Sequence, residues 1–84
     1  MQSEMEVIRE YIRDEIGYHG AIQPDVDLIE RDILDSFSVV EVAMFIQRRF
    51  GIELEAEDLV RANLCSLANM TALIARKKKE AGLA

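Results

Sequence analysis

Tryptophan is absent from this chain of 84 residues, and cysteine, proline and histidine occur once each, as Cys65, Pro24 and His19. A single cysteine builds neither an internal disulfide nor a thiolate zinc cage, which points to a reducing compartment, the cytoplasm. A single histidine, in a different segment from Ser36, leaves no base to activate that hydroxyl, so the chain is not expected to be an enzyme. Long hydrophobic runs are missing too: residues 1–10 alternate charged and apolar positions, with neither a secretory leader nor a membrane span in view. Positive charge is scarce, 10 Lys and Arg against 16 Asp and Glu for a net −6, and an acidic protein is a poor partner for a nucleic-acid backbone. Aromatic residues are limited to Tyr11, Tyr18, Phe37, Phe45 and Phe50, so the core must be aliphatic. A chain of this length forms one domain, residues 1–84, that buries about two-thirds of its unfolded surface, too little for a walled catalytic cleft.

What the chain does contain is helical periodicity. Met5, Ile8, Ile12 and Ile16 recur at spacings of three and four, with Ser3 as cap and Glu6 completing a capping-box pattern, and Gly17 and Gly20 close this first helix. Residues 17–34 carry no sustained period and form a long loop, pinned by Val26, Leu28, Ile29, Ile33 and Leu34. A second helix is predicted over 36–50, ended by Gly51, with an apolar surface broader than one core face requires. After the extended connector 52–55, a short helix over 57–62 precedes a last helix over 66–79 that buries Leu67, Met70, Leu73 and Ile74. Its basic end, Arg76 to Lys79, reads as a solvated terminus matched to the helix dipole. The fold class is therefore all-α, a four-helix bundle of three longer helices and one short one with a long first loop. A monomer is expected.

The run Asp35-Ser36-Phe37-Ser38-Val39-Val40-Glu41-Val42 carries the chemistry. A serine at a helix entrance serves as a cap, worth about 1 kcal/mol. It also suits a phosphate ester, because the first helical N–H groups lack internal acceptors and carry partial positive charge. With no base beside it, Ser36 reads as a hydroxyl that another enzyme modifies. Asp25, Asp27 and Asp32 lack the glycine and glutamate offsets of a calcium loop and read as solvated carboxylates, so no metal site is expected. Cys65 reads as a small apolar filler.

From Asp35 to Leu54 the residues Asp35-Ser36, Val40-Glu41, Met44, Phe50-Gly51 and Glu53 fall in gapless register with D-S-L-D-x-V-E-L-x-M…F-G-x-E, and with the four-helix layout the chain resembles the acyl carrier and peptidyl carrier family. The resemblance implies 4′-phosphopantetheine attached covalently at Ser36 by a magnesium-dependent phosphopantetheinyl transferase, with Asp35 orienting the transferase and its metal. It implies a partner-reading face of Phe37, Val40, Glu41 and Met44, of which Phe37 is the best candidate for exposure and two of Phe37, Val40 and Met44 are expected to be mostly buried. The implied partners are that transferase, a cargo-loading enzyme (an adenylating ligase or acyltransferase) and a downstream synthase or transferase.

Three departures from the fatty-acid pattern stand out: Phe37 for leucine or methionine, Ser38 for aspartate, and Gln47-Arg48-Arg49 for acidic residues. Asp35 and Glu41 are matched by Arg48 and Arg49, so the second helix is neutral where fatty-acid partners read acidity. With the Ile33-Leu34 lead-in, the chain resembles discrete carriers of specialised, natural-product-like pathways, with an acyl or aminoacyl-type cargo held as a thioester. The competing readings are a fatty-acid-type carrier, a small helical interaction module without a prosthetic group, and a helix-turn-helix DNA binder, the last disfavoured by its neutral recognition helix.

Overall fold

The computed structural model describes residues 2–82, and those residues form helices joined by turns and loops. Helix α1 spans Glu4–Tyr11 and is capped by Ser3, whose hydroxyl accepts the Glu6 N–H at 3.2 Å. Only that half of the capping box forms, because Glu6 turns its carboxylate to Arg9. Beyond Tyr11 the helix widens into a π-helical turn, Ile12–Ile16, ended by Gly17 in the left-handed region at φ 96°. A stripe spaced strictly by four drifts around an α-helix by about 40° per step, and a wider turn takes that drift back. Ile16 thereby stays packed against the core that Ile8 and Ile12 enter.

Helix α2 spans Ser36–Phe50, as the sequence predicts, and ends at Gly51 with φ 65°. The cap, however, is Asp35 and not Ser36. A single helix over 57–62 does not form either: a 3-10 turn, Ala56–Asp58, is followed by an extended Val60 and then by α3, Arg61–Leu64. The break has a local cause. Asp58 bonds back to the Glu55 N–H at 2.8 Å and out to Lys77 Nζ at 2.8 Å, which closes the turn where a longer helix would continue. Helix α4, Leu67–Glu80, is capped by Ser66 and buries Leu67, Met70, Leu73 and Ile74 as its period demands.

Helices α1 and α4 pack together, and α1 also packs on α2 through Tyr11 and Phe45, stacked with centroids 4.1 Å apart. Part of the basic end of α4 is tied into this frame and is not simply solvated, since Lys77 pairs with Asp58 and Lys78 pairs with Glu4 of α1. The long loop belongs to the same frame. Leu28 and Leu34 are fully buried, the Leu28 N–H donates to the Cys65 carbonyl at 2.6 Å, and the Ala68 N–H donates to the Pro24 carbonyl at 2.9 Å. Ile22, which no periodicity singles out, is buried as well, and its carbonyl accepts from the Arg9 guanidinium.

The Asp58–Lys77 pair is shielded, each side chain only 13 % exposed, and it makes stability depend on pH. The Asp58 carboxyl is held below its usual range, chiefly by the hydrogen bond from Lys77 and then by the Glu55 N–H. Lys77 is raised, chiefly by the same bond. A depressed carboxyl contributes stability that is fully present above its unfolded value, about 3.9, and is lost as pH falls through the folded one. The lysine contribution is present below about 10.4 and is lost as pH rises through the raised value. Lys77→Met should therefore flatten, without abolishing, the fall in thermal midpoint between about pH 5 and pH 2, because Asp27 and Asp35 are depressed too and remain. Circular dichroism melts at several pH values measure it, and an unchanged slope would remove this pair from the acid response.

Candidate functional site

Ser36 is the first residue of α2 and is exposed. Its position follows from Asp35, whose extended backbone (φ −105°, ψ −175°) turns the chain into the helix. Asp35 Oδ1 accepts the Phe37 N–H at 3.0 Å, the Ser38 N–H at 2.8 Å and the Ser38 hydroxyl at 2.9 Å. These bonds, led by the one from the Ser38 N–H, hold the Asp35 carboxyl below the usual range, so an ionised carboxylate stands next to Ser36. Three of the serines in the chain are thus committed to local structure: Ser3 and Ser66 cap α1 and α4, and Ser38 donates to Asp35. Among the described residues Ser36 alone of the serines has a hydroxyl with no hydrogen-bond partner.

Around it lies an apolar face. Phe37 is 73 % exposed, Val40 55 % and Met44 51 %, so the expectation that two of these three are mostly buried is overturned. The reason is helical geometry. Val42, Ala43 and Ile46 turn to the core, and residues at 37, 40, 41 and 44 share the opposite side, which places exposed Glu41 on that face as well. Across from this face stand Leu59 and Val60, 49 % and 44 % exposed, in the break between the 3-10 turn and α3.

A groove of about 340 Å³ runs between the two sides, lined by Ser36 and Asp35 at its mouth and by Val39, Val40, Leu59 and Leu64 along its walls. Those same four apolar residues also line a smaller hollow of about 120 Å³ that reaches Met44 and Gln47. Leu59, Val60 and Arg61 are site residues that the sequence does not single out, because a helix over 57–62 would give the Leu-Val pair a face to join and the break is visible only in the structure.

No histidine approaches this site, and His19 is exposed in the loop. Among the described residues no group of three or more His, Cys, Asp or Glu side chains is arranged to hold a metal ion. Asp27 is engaged otherwise, capping the Ile29 and Glu30 N–H groups and pairing with Arg61 at 3.0 Å. Cys65 is a free thiol, half-buried, whose sulfur accepts from the Asn69 amide. What the site offers is an exposed primary hydroxyl beside a fixed negative charge, at the mouth of an apolar groove and ringed by exposed apolar side chains. Chemically, that arrangement can accept an added group at the hydroxyl and a second body against the apolar side chains. A group carried as a phosphate ester on a serine fits it, because the Ser36 hydroxyl is open to a visiting enzyme and the groove beside it is open to a flexible tether.

A family model described as the phosphopantetheine attachment site matches residues 6–74. No curated protein and no solved structure gives a match.

Proposed function

The chain belongs to the phosphopantetheine-attachment family, whose members carry 4′-phosphopantetheine covalently on a serine, and from that premise we propose that it is a free-standing carrier modified at Ser36 and serving a specialised biosynthetic pathway. The observation that supports Ser36 is the accounting of serines: of the three inside the matched segment, Ser38 and Ser66 spend their hydroxyls on helix starts and Ser36 does not. Its oxygen attacks the coenzyme A pyrophosphate, forming the phosphodiester and releasing adenosine 3′,5′-bisphosphate. The proton leaves to the transferase, since the neighbouring Asp35 carboxylate already accepts from Phe37 and Ser38. Ionised Asp35 orients the transferase and its magnesium.

When bound, the group supplies a terminal thiol that holds an acyl or aminoacyl-type cargo as a thioester. The chain makes no bond in that cargo itself. It raises the local concentration of the cargo at each partner by tethering. Phe37, Val40, Glu41 and Met44 form the face that the transferase, the loading ligase or acyltransferase and the downstream synthase read. Unpaired Cys65 suits a reducing cytoplasm. Among the described residues no helix is long and apolar enough to cross a membrane.

The test is intact mass after incubation with coenzyme A, magnesium and a broad-specificity transferase. One phosphopantetheinyl increment is expected. An unchanged mass with several competent transferases would favour an interaction module that docks through the same apolar face.

Exposed Arg48 and Arg49 at the end of α2 supply the argument for a specialised pathway. Fatty-acid ketosynthases are expected to load and use the holo protein poorly, because basic docking surfaces meet like charge there. Reversal of both residues to glutamate should raise turnover and restore the usual fall in rate with added salt. Efficient elongation by the native chain, or no gain on reversal, would count against the assignment.

A further inference from the structure

A phosphodiester on Ser36 meets a difficulty at the start of α2. The amide donors of Phe37 and Ser38, which at an open helix N-terminus would receive an oxyanion, are spent on the carboxylate of Asp35. The new negative charge therefore lies beside an existing one, and its counter-charge has to come from elsewhere. The groove supplies a single candidate. Of the residues lining it together with Ser36, Arg61 alone is cationic.

Arg61 is the first residue of α3, with a side chain 56 % exposed. One of its terminal nitrogens donates to Asp27 Oδ2 at 3.0 Å, while Asp27 Oδ1 is occupied by the Ile29 and Glu30 N–H groups. A guanidinium has five donors in a planar fork, so this contact leaves most of its capacity unused. Exposed ion pairs of this kind are weakly held, and an anion tethered within the same groove competes at high effective concentration.

We propose, building on the carrier reading, that Arg61 is an oxyanion-binding residue of the groove, exchanging Asp27 for, or sharing it with, an anion carried on Ser36. Two sources present that chemistry: the phosphodiester of the arm, and a carboxylate on the cargo. Either way the exchange reaches the long loop, because Asp27 organises the turn at residues 27–30.

The test uses holo protein with a free thiol and reads the 31P resonance of the phosphodiester, together with the Arg61 Nε–H resonance. If the phosphodiester is the ligand, Arg61→Gln shifts and narrows the 31P line, Arg61→Lys restores it in part, and Asp27→Asn moves it in the opposite sense. Asparagine keeps an oxygen for the Ile29 and Glu30 N–H groups while removing the competing charge. If a cargo carboxylate is the ligand, the unloaded holo forms agree, and the Nε–H of the native chain moves on malonyl loading but not on acetyl loading. A 31P line indifferent to all three substitutions, together with an Nε–H indifferent to malonyl loading, overturns the proposal while leaving the carrier reading intact. Failure of Ser36 to take the phosphopantetheinyl group overturns both, and is seen by mass before any spectrum is taken.

Discussion

Ser36→Ala will take no phosphopantetheinyl increment at all, and will unfold within about 0.5 kcal/mol of the native chain. Both halves of that result follow from where the hydroxyl sits. Ser36 occupies the first helical position, is exposed, and has no hydrogen-bond partner among the described residues. Alanine there sacrifices no hydrogen bond and has the better helix propensity. Asp35→Ala gives the contrasting pattern. It removes the acceptor of three bonds, exposes two amide donors at the helix start, and lowers the unfolding midpoint. Ser38→Ala loses one of those bonds and keeps the modification. Intact mass and urea melts on the three variants separate attachment from capping. An increment retained by Ser36→Ala would move the attachment point to another residue, and a large loss of stability would mean that this hydroxyl serves the fold.

The confusion of Asp35 with Ser36 as cap shows what was and was not legible in the chain. Both are good cap residues and they are adjacent, so residue type cannot choose between them. The extended backbone of Asp35 chooses, directly after the buried Leu34. Where periodicity is unambiguous the reading was secure: the stripe of α4 reaches the core residue for residue, and Gly51 ends α2. On α2 the sequence shows two apolar faces and no rule for which one turns inward. Packing against α1 settles it in favour of Val42, Ala43 and Ile46, and leaves Phe37, Val40 and Met44 outside. The split of the 57–62 segment was hidden because one of the two groups that hold Asp58, Lys77, lies nineteen residues along the chain, where spacing rules do not reach. Arg61 was missed for the same reason, since its nearness to Ser36 is created by tertiary structure alone.

Leu28→Ala will cost more than any surface substitution, although Leu28 lies in what the sequence presents as a loop. Its side chain is fully buried in the same cluster as Ile46, Leu67 and Leu73. Its backbone is equally engaged: the N–H donates to Cys65, and the carbonyl accepts from the Ile33 and Leu34 N–H groups at 2.9 and 3.0 Å. Truncating a buried leucine typically costs about 2–5 kcal/mol, transfer and cavity terms together. A domain of this length holds on the order of 5–10 kcal/mol in total, so the substitution removes a large share of what keeps the chain folded. The effect should reach Ser36. Leu28 anchors the return of the loop to Leu34, and Leu34 immediately precedes the cap that starts α2. Denaturant melts should show the midpoint falling sharply with the slope preserved. Gln23→Ala, at an exposed position of the same loop, should stay within about 0.5 kcal/mol of the native value. Phosphopantetheinylation near the lowered midpoint should decline with the folded population, and should recover on cooling if only stability has been lost. A Leu28→Ala protein that melts like the native chain would mean that the loop is draped over the bundle and takes no part in its cooperative unfolding, so that the start of α2 is held by the helices alone.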